Sequence, residues 1–216
     1  MKRSVRLAAL ALGATTLVAA LSACAPLVIG GAVGSAIVAT DRRTSGAQLE
    51  DQGIELRAAN RLREQLGERG SASVTSYNRV ALITGEVPTE ADKALVERVV
   101  AGVDNVRSVV NELAVLGSAS LSQRSSDALV TGRVKASMLD AKDISANVFK
   151  VVTTRGTVYL MGRVTQREAD RATEITRNTP GVQRVVRALE IITEQELAAM
   201  QPQPAPAPVK DVAPAK

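Results

Sequence analysis

The chain has 216 residues, a formal net charge of +5 at pH 7, no histidine and a single cysteine, Cys24. The absence of histidine removes the most common general base and metal ligand, and one cysteine permits neither an internal disulfide nor a cysteine-rich metal site. The composition therefore predicts a protein that is not an enzyme, has no catalytic or metal-binding residues and needs no cofactor.

The N-terminal segment 1–23 has the order of a secretory signal peptide, a short basic region followed by an almost wholly apolar run. The run ends in Leu21-Ser22-Ala23-Cys24, which resembles a bacterial lipobox, in which the cysteine is acylated and cleavage occurs before it. Several acyl chains anchor a protein stably, whereas one chain is marginal. The sequence therefore predicts lipidation of Cys24. The alternative is an ordinary signal peptide followed by a coincidental cysteine.

The residue after the predicted lipidation site is Ala25 rather than aspartate. By resemblance to the lipoproteins of diderm bacteria, this favours an anchor in the outer membrane with the protein facing the periplasm. The following residues, 24–48, form a predicted Gly/Ala-rich tether. Its apolar part is short for a membrane span, which needs roughly 20 residues. A close-packed helix built on Gly30-x-x-x-Gly34 is the alternative.

An internal repeat organises the remainder of the chain. Residues 106–115 align with 182–191 at an offset of 76, with four of ten positions identical, and residues 80–87 align with 157–164 at an offset of 77. We therefore predict two domains, 49–116 and 124–192, joined by a linker at 117–123. The Pro/Ala-rich segment 193–216 is predicted to be a disordered tail.

Each copy has the pattern of a helix, two strands, a helix and a strand. In the first helix of copy one, apolar residues recur every four positions. They are Ile54, Ala58, Leu62 and Leu66. Turns predicted at Asn78-Arg79 and Arg155-Gly156 separate the two strands of each copy, and these turns suit positive φ angles. Thr165 and Glu168 form a predicted capping box at the start of the second helix of copy two.

This order of elements, with a glycine after the second strand and a V-x-x-V-V-x-x-L ending, resembles the BON domain, a small α/β sandwich of bacterial envelope proteins. The resemblance covers 50–116 and 124–192. It implies an α+β fold of two tandem BON-type αββαβ sandwich domains after a lipoprotein signal peptide. It also implies a lipoprotein whose second domain binds anionic phospholipid, chiefly through its first helix, and which supports outer-membrane integrity.

Charge separates the two copies. Residues 49–116 carry eight basic against eleven acidic side chains, and residues 121–192 carry twelve against seven. A basic domain is attracted to an anionic membrane surface, where each basic residue contributes on the order of 1 kcal/mol. Nucleic acid also attracts basic domains, but the export signal and the lack of stacking aromatics exclude it as a predicted partner. The sequence predicts no small-molecule substrate.

The first helix of copy two contains the candidate phospholipid-binding residues. A core stripe of Val130, Val134 and Met138 leaves Leu129 on the opposite face, where basic residues flank it. The candidates are Arg124, Leu129, Arg133, Lys135 and Ala136. A single exposed leucine also occurs without any function. The resemblance implies an aromatic where this chain has Leu129, so we expect weaker or differently organised anchoring here.

An alternative function is that of a protein-interaction adaptor for an envelope assembly complex, without direct lipid recognition. The acidic first domain, or an exposed sheet, would then bind outer-membrane assembly or division-site proteins. This alternative predicts binding without lipid and sensitivity to changes within 50–116.

Overall fold

The structure, a computed structural model, describes residues 41–117 and 119–200. The predicted signal peptide, Cys24, the tether up to residue 40 and the tail from residue 201 lie outside the described residues. Within the described residues, no helix is both long enough and apolar enough to cross a membrane.

The first domain contains two helices and a mixed sheet. Its elements are α1 (Ser45–Leu66), β1 (Ser71–Tyr77), β2 (Val80–Val87), α2 (Glu90–Ala101), β3 (Ser108–Asn111) and β4 (Ala114–Val115). β1 pairs with β2 in antiparallel register, and β3 and β4 both pair with β2 in parallel register. The last strand, predicted as one segment, is interrupted because Leu113 turns inward and is buried in the core.

The second domain repeats this arrangement with an unbroken last strand. Its elements are α3 (Leu121–Asp140), a 3-10 turn (Ala146–Val148), β5 (Lys150–Thr154), β6 (Thr157–Val164), α4 (Gln166–Arg177), β7 (Arg184–Ile191) and a short terminal helix α5 (Glu194–Met200). β5 and β7 flank β6, antiparallel and parallel respectively. The predicted α+β class and αββαβ order are confirmed.

The first residues of three helices do not coincide with the predicted domain limits. α1 begins at Ser45, before residue 49, and α3 begins at Leu121, inside the predicted linker 117–123. The predicted linker lacks helix-breaking residues after Ser120, whose side chain accepts a hydrogen bond from the Gln123 backbone and so starts the helix early. α5 occupies the beginning of the predicted tail, where the Thr193 hydroxyl accepts a hydrogen bond from Glu196 N.

The helices of each domain cover one face of its sheet. The predicted stripe of α1 is buried, and it packs on Ala81 and Ile83 of β2. In the second domain Val130, Val134 and Met138 pack in the same way on β6. The capping box of Thr165 and Glu168 is present at the start of α4, as predicted.

The opposite faces of the two sheets pack against each other. Because successive strand residues point to opposite faces, Leu82 points away from α1, and Tyr159 and Met161 point away from α3. Together with Tyr77 these side chains form a third apolar cluster, shared by the two domains, and all of them are buried. The strands β2 and β6 are therefore buried on both faces, which explains their nearly continuous apolar sequence.

A buried aspartate in the first helix of each domain holds the neighbouring hairpin turn. The Asp51 carboxylate accepts hydrogen bonds from the backbone N–H groups of Asn78 and Arg79, at 2.7 and 2.8 Å. Asp127 accepts the equivalent bonds from Arg155 and Gly156, at 2.8 and 2.9 Å. All four turn residues have positive φ angles, of which the sequence predicted those of Asn78 and Gly156. The carboxylates compensate for the cost of positive φ at the non-glycine residues.

The segment that precedes α1 joins both domains. Arg42 donates two 2.7 Å hydrogen bonds to the Glu168 carboxylate and a third, of 2.9 Å, to the Arg163 carbonyl in the second domain. Arg43 pairs with Asp51 at 2.8 Å, and its guanidinium lies 4.2 Å from the centre of the Tyr77 ring in the first domain. The N-terminal segment therefore leaves the protein at the boundary between the domains.

Replacing Met161 with glutamate should destabilise the whole fold, because it places an unpaired carboxylate between the two sheets. We expect the free energy of unfolding of residues 25–216, measured with urea, to fall by at least about 3 kcal/mol. As a control, Leu56→Glu changes a side chain that is 65% exposed and should alter the free energy by no more than about 0.5 kcal/mol. Equal effects of the two substitutions would contradict the shared core.

Stability should fall in acid. Burial raises the pKa of Asp51, but hydrogen bonds from Arg79 N, Ser76 Oγ and Arg43 outweigh it, so the pKa is lowered. The pKa of Glu168 is also lowered, because the hydrogen bonds from Arg42 and Thr165 N outweigh its burial. A carboxylate with a lowered pKa stabilises the fold above its unfolded value of about 4, and this stabilisation disappears as the pH falls through the folded value.

The corresponding substitution is Asp51→Asn, with the exposed Asp104→Asn as its control. We expect Asp51→Asn to lower the free energy of unfolding at pH 7 by about 2 kcal/mol. Its stability should also decline less than that of the parent chain between pH 5 and pH 3, as measured by urea unfolding at each pH. A parallel decline in the two chains would show that Asp51 does not contribute to the acid sensitivity.

Candidate functional site

The helix α3 positions all five candidate lipid-binding residues on the protein surface. Its buried side consists of Asp127, Val130, Val134 and Met138. These residues pack on β5 and α4, so the opposite side of the helix faces solvent. The exposed candidates are Arg124, Leu129, Arg133, Lys135 and Ala136.

The five candidates lie on two flanks of the exposed side. At 100° per residue, Leu129, Arg133 and Ala136 fall within about 60° of one another. Arg124 and Lys135 lie on the other flank, about 120° or more from Leu129. The structure therefore brings three of the candidates together and separates the other two from them.

Two leucines that the sequence reasoning did not select fill the space between these flanks. Leu121 is 81% exposed and Leu139 is 66% exposed, compared with 62% for Leu129. Leu121 and Leu139 are 18 residues apart, which is five helical turns, so they lie on the same line along the helix. This spacing was a signal that could have identified them. The small residues Ala128 and Gly132 lie between them.

We call this surface the apolar stripe, and define it as Leu121, Ala128, Leu129, Gly132, Ala136 and Leu139. From Leu121 to Leu139 it is about 27 Å long and runs parallel to the helix axis. Small side chains between large exposed ones allow the leucines to project beyond the helix surface. Exposed apolar side chains flanked by basic residues are typical of helices that lie flat at a membrane interface with shallow insertion.

The basic residues beside the apolar stripe make no ion pair within the described part of the chain. Arg133 donates a long hydrogen bond, 3.4 Å, to the Pro180 carbonyl, and Arg124 lies 3.5 Å from Ser71 Oγ. Elsewhere in the same domain several arginines are neutralised. Arg163 pairs with Glu190, Arg171 with Asp143 and Arg187 with Asp170. Unpaired positive charge is therefore present on α3, and Lys142, Arg167 and Arg177 elsewhere in the described part of the domain also make no ion pair.

The corresponding helix of the first domain has a different surface. At an offset of 76, Gly53 occupies the position of Leu129 and Arg63 that of Leu139. α1 does expose Leu49 and Leu56, but its Arg57 is paired with Glu50 at 2.5 Å. The two helices therefore differ in their exposed leucines and in part of their charge. Arg57 of α1 is ion-paired, whereas Arg63, seven residues after Leu56, makes no ion pair within the described residues.

The titratable groups near α3 give no indication of catalysis. Asp127 is buried, but its carboxylate already accepts hydrogen bonds from two backbone N–H groups. Among the described residues, no group of three aspartate, glutamate, cysteine or histidine side chains could hold a metal ion. Within the described residues, α3 presents exposed apolar surface and basic side chains.

Comparisons with known proteins identify the family of the two domains. Residues 51–117 and 126–193 match the family described as the BON domain. The outer membrane lipoprotein DolP of Haemophilus influenzae is 35% identical over 186 residues, which cover 85% of this chain and 95% of that protein. The 21 kDa hemolysin of Actinobacillus pleuropneumoniae is 30% identical over 154 residues, 70% of this chain and 79% of that protein.

Among solved structures, CdsD, a structural protein of the type III secretion system of Chlamydia trachomatis, is 12% identical with a TM-score of 0.28. The match covers 68% of this chain and 97% of that chain. The BON family and the DolP relative indicate no catalytic activity, which agrees with the prediction that the chain is not an enzyme. Because the two matched segments span more than half of the chain and coincide with the two sandwich domains, the protein belongs to the BON-domain family and carries two tandem BON domains.

Proposed function

We propose that the protein is a lipoprotein anchored through Cys24 to the periplasmic side of the outer membrane, where its second BON domain binds anionic phospholipid and supports membrane integrity. The observation that carries the proposal is the apolar stripe of α3 beside unpaired basic side chains. The likeness to an outer membrane lipoprotein over most of both chains supports the location.

The proposed contact combines charge with shallow insertion. Arg124, Arg133 and Lys135 together would contribute about 3 kcal/mol at an anionic surface, and less at high salt. The exposed leucines of the stripe would add the transfer of apolar surface out of water. Such a contact is weak for a free protein, but a lipid anchor raises the local concentration of α3 at the membrane and makes a weak contact sufficient.

The attachment of the N-terminal segment suits this role. Arg42 is bound to Glu168 at the start of α4, and Arg167 in the same turn donates a hydrogen bond to the Asp143 carbonyl, just beyond the end of α3. The 16 residues between Cys24 and Asp41 span at most about 55 Å. The anchor therefore keeps Asp41, which lies at the boundary between the two domains, within about 55 Å of the membrane.

The adaptor function remains the second candidate, and one observation favours it. Leu49 and Leu56 of α1 are seven residues apart, on the same side of the helix, and are 68% and 65% exposed. A partner protein could cover them. In that case binding would depend on the first domain and would not require lipid.

Vesicle co-sedimentation of residues 25–216, which lack the acylated cysteine, tests the proposal. We expect binding to vesicles that contain anionic phospholipid at low salt and little binding to neutral vesicles. Arg133→Glu should weaken binding about 30-fold, because a reversal of charge removes about 2 kcal/mol at the surface. Leu129→Glu and Leu139→Glu should also weaken it, because a carboxylate opposes insertion.

Matched controls are available on the first domain. Leu56→Glu changes a leucine as exposed as Leu129, and Arg98→Glu makes the same charge reversal on α2. Neither should weaken vesicle binding by more than about twofold. If these controls weaken binding as much as the α3 substitutions, net charge and not α3 is responsible. If the parent chain does not bind at low salt, the lipid proposal fails and the adaptor function becomes the leading candidate.

A further inference from the structure

The two domains meet along two related clefts, because each hairpin approaches the edge of the other domain's sheet. Corresponding residues can be identified from the repeat offsets of 76 in the first helices and 77 in the hairpins. One cleft lies beside β5 and α1, and we call it the closed cleft. The other lies beside β1 and α3, and we call it the open cleft.

The closed cleft is filled by side chains of the protein itself. The Lys150 ammonium lies 2.8 Å from a carboxylate oxygen of Glu55 and donates a hydrogen bond of 3.2 Å to the Ser76 carbonyl. The Tyr77 hydroxyl reaches the Val148 carbonyl at 3.4 Å. An ammonium group held by a carboxylate and backbone oxygen therefore closes this side of the domain boundary.

The open cleft has smaller side chains at the corresponding positions. Ser73 replaces Lys150, Thr131 replaces Glu55 and Thr154 replaces Tyr77. These substitutions leave a cavity of about 280 Å³ between the domains, lined by hydroxyl-bearing residues of both domains. Arg124, which is unpaired, forms part of its wall.

An unsatisfied carboxylate lines the open cleft. Glu86 is 3% exposed, and its Oε1 atom has no hydrogen-bond partner in the described part of the chain. The closest ion-pair contact is with Arg155, whose Nε lies 3.9 Å from this oxygen, beyond hydrogen-bond distance. At the corresponding position in the closed cleft, Arg163 is paired with Glu190 at 3.2 Å. A buried charged group without a hydrogen bond is unusual and indicates a missing partner.

We infer that the open cleft binds a small zwitterion that carries an ammonium and a phosphodiester, the chemistry of glycerophosphoethanolamine. The ammonium would pair with Glu86 and donate its other protons to the hydroxyl oxygens of the wall, as Lys150 does with a carboxylate and a carbonyl in the closed cleft. The phosphate would pair with the guanidinium of Arg124. Binding of the lipid form of this ligand, phosphatidylethanolamine, rests on the proposed function, whereas binding of the soluble form does not.

Charge balance favours a zwitterion over an anion. Two acidic residues, Glu86 and Asp127, and two arginines, Arg124 and Arg155, lie in the wall of the cleft or directly beside it. Their formal charges sum to zero. A glycerol phosphate would add a negative charge and would leave Glu86 without a cation. A ligand that is itself neutral overall preserves the balance and supplies both missing partners.

The test uses residues 25–216 and soluble glycerophosphoethanolamine, whose phosphodiester carries a single negative charge, with binding followed by NMR titration. We expect saturable binding that is at least about tenfold tighter than that of glycerol 3-phosphate or ethanolamine. Glu86→Gln should weaken it about tenfold or more. Ser73→Lys places an ammonium in the cleft, as Lys150 does in the closed cleft, and should abolish binding while raising the unfolding temperature. Glu64→Gln, an exposed carboxylate outside the cleft, is the control and should leave binding unchanged.

A second measurement identifies the source of the ligand. Vesicles with a fixed fraction of phosphatidylglycerol contain either phosphatidylethanolamine or phosphatidylcholine, whose nitrogen has no N–H group. A preference for phosphatidylethanolamine that disappears in Glu86→Gln supports a lipid headgroup, and soluble binding without this preference supports the free zwitterion. Equal binding of glycerol 3-phosphate, or no effect of Glu86→Gln, would overturn the inference. The proposed function is tested separately in the same vesicles. It predicts binding that depends on phosphatidylglycerol and is lost in Leu129→Glu.

Discussion

The packing of one sheet face on the other is the interaction on which the rest of this structure depends. Each domain alone has helices on one side of its sheet and would expose an apolar surface on the other. The shared cluster around Leu82, Tyr159 and Met161 removes both surfaces from water at once. As a consequence all the long helices face outward, and the boundary between the domains is the place where the N-terminal segment attaches and where the clefts form.

Duplication has allowed the two copies to diverge without losing the fold. The buried aspartates Asp51 and Asp127 occupy the same position and hold equivalent turns, because the turn geometry is common to both copies. The solvent-facing residues of the first helices are not constrained in this way. One helix carries the ion pair of Arg57 with Glu50 and a single arginine, Arg63, without an acidic partner in the described residues. The other carries Arg124, Arg133 and Lys135, none of them ion-paired there, beside exposed leucines.

The same divergence distinguishes the two clefts. A lysine, a glutamate and a tyrosine close one of them, and a serine and two threonines leave the other open. Close approach of the strands is required at both, since a side chain at Gly85 would overlap the Ser71 carbonyl and one at Gly162 would lie 2.6 Å from the Val148 carbonyl. The strands therefore approach closely at both clefts, and the side chains that line each cleft decide which of them has room for a ligand.

The sequence by itself determined the repeat, the αββαβ order, the helix stripes and the capping box. These features arise from interactions between residues close in the chain, and periodicity records them directly. It also placed Leu129, Arg133 and Ala136 on an exposed face, because the opposite face of α3 follows the apolar spacing of Val130, Val134 and Met138. Leu121 was missed because the helix begins inside a segment that the repeat alignment assigned to a linker.

The tertiary structure alone decided which charges are paired and which remain available. Arg42 and Glu168 are 126 positions apart, and Lys150 and Glu55 are 95 apart, so no local pattern connects them. The same holds for the missing partner of Glu86, which depends on the position of a hairpin from the other domain. Ion pairing and burial depend on distances between elements that only packing brings together, whereas secondary structure depends mainly on the spacing of neighbouring residues.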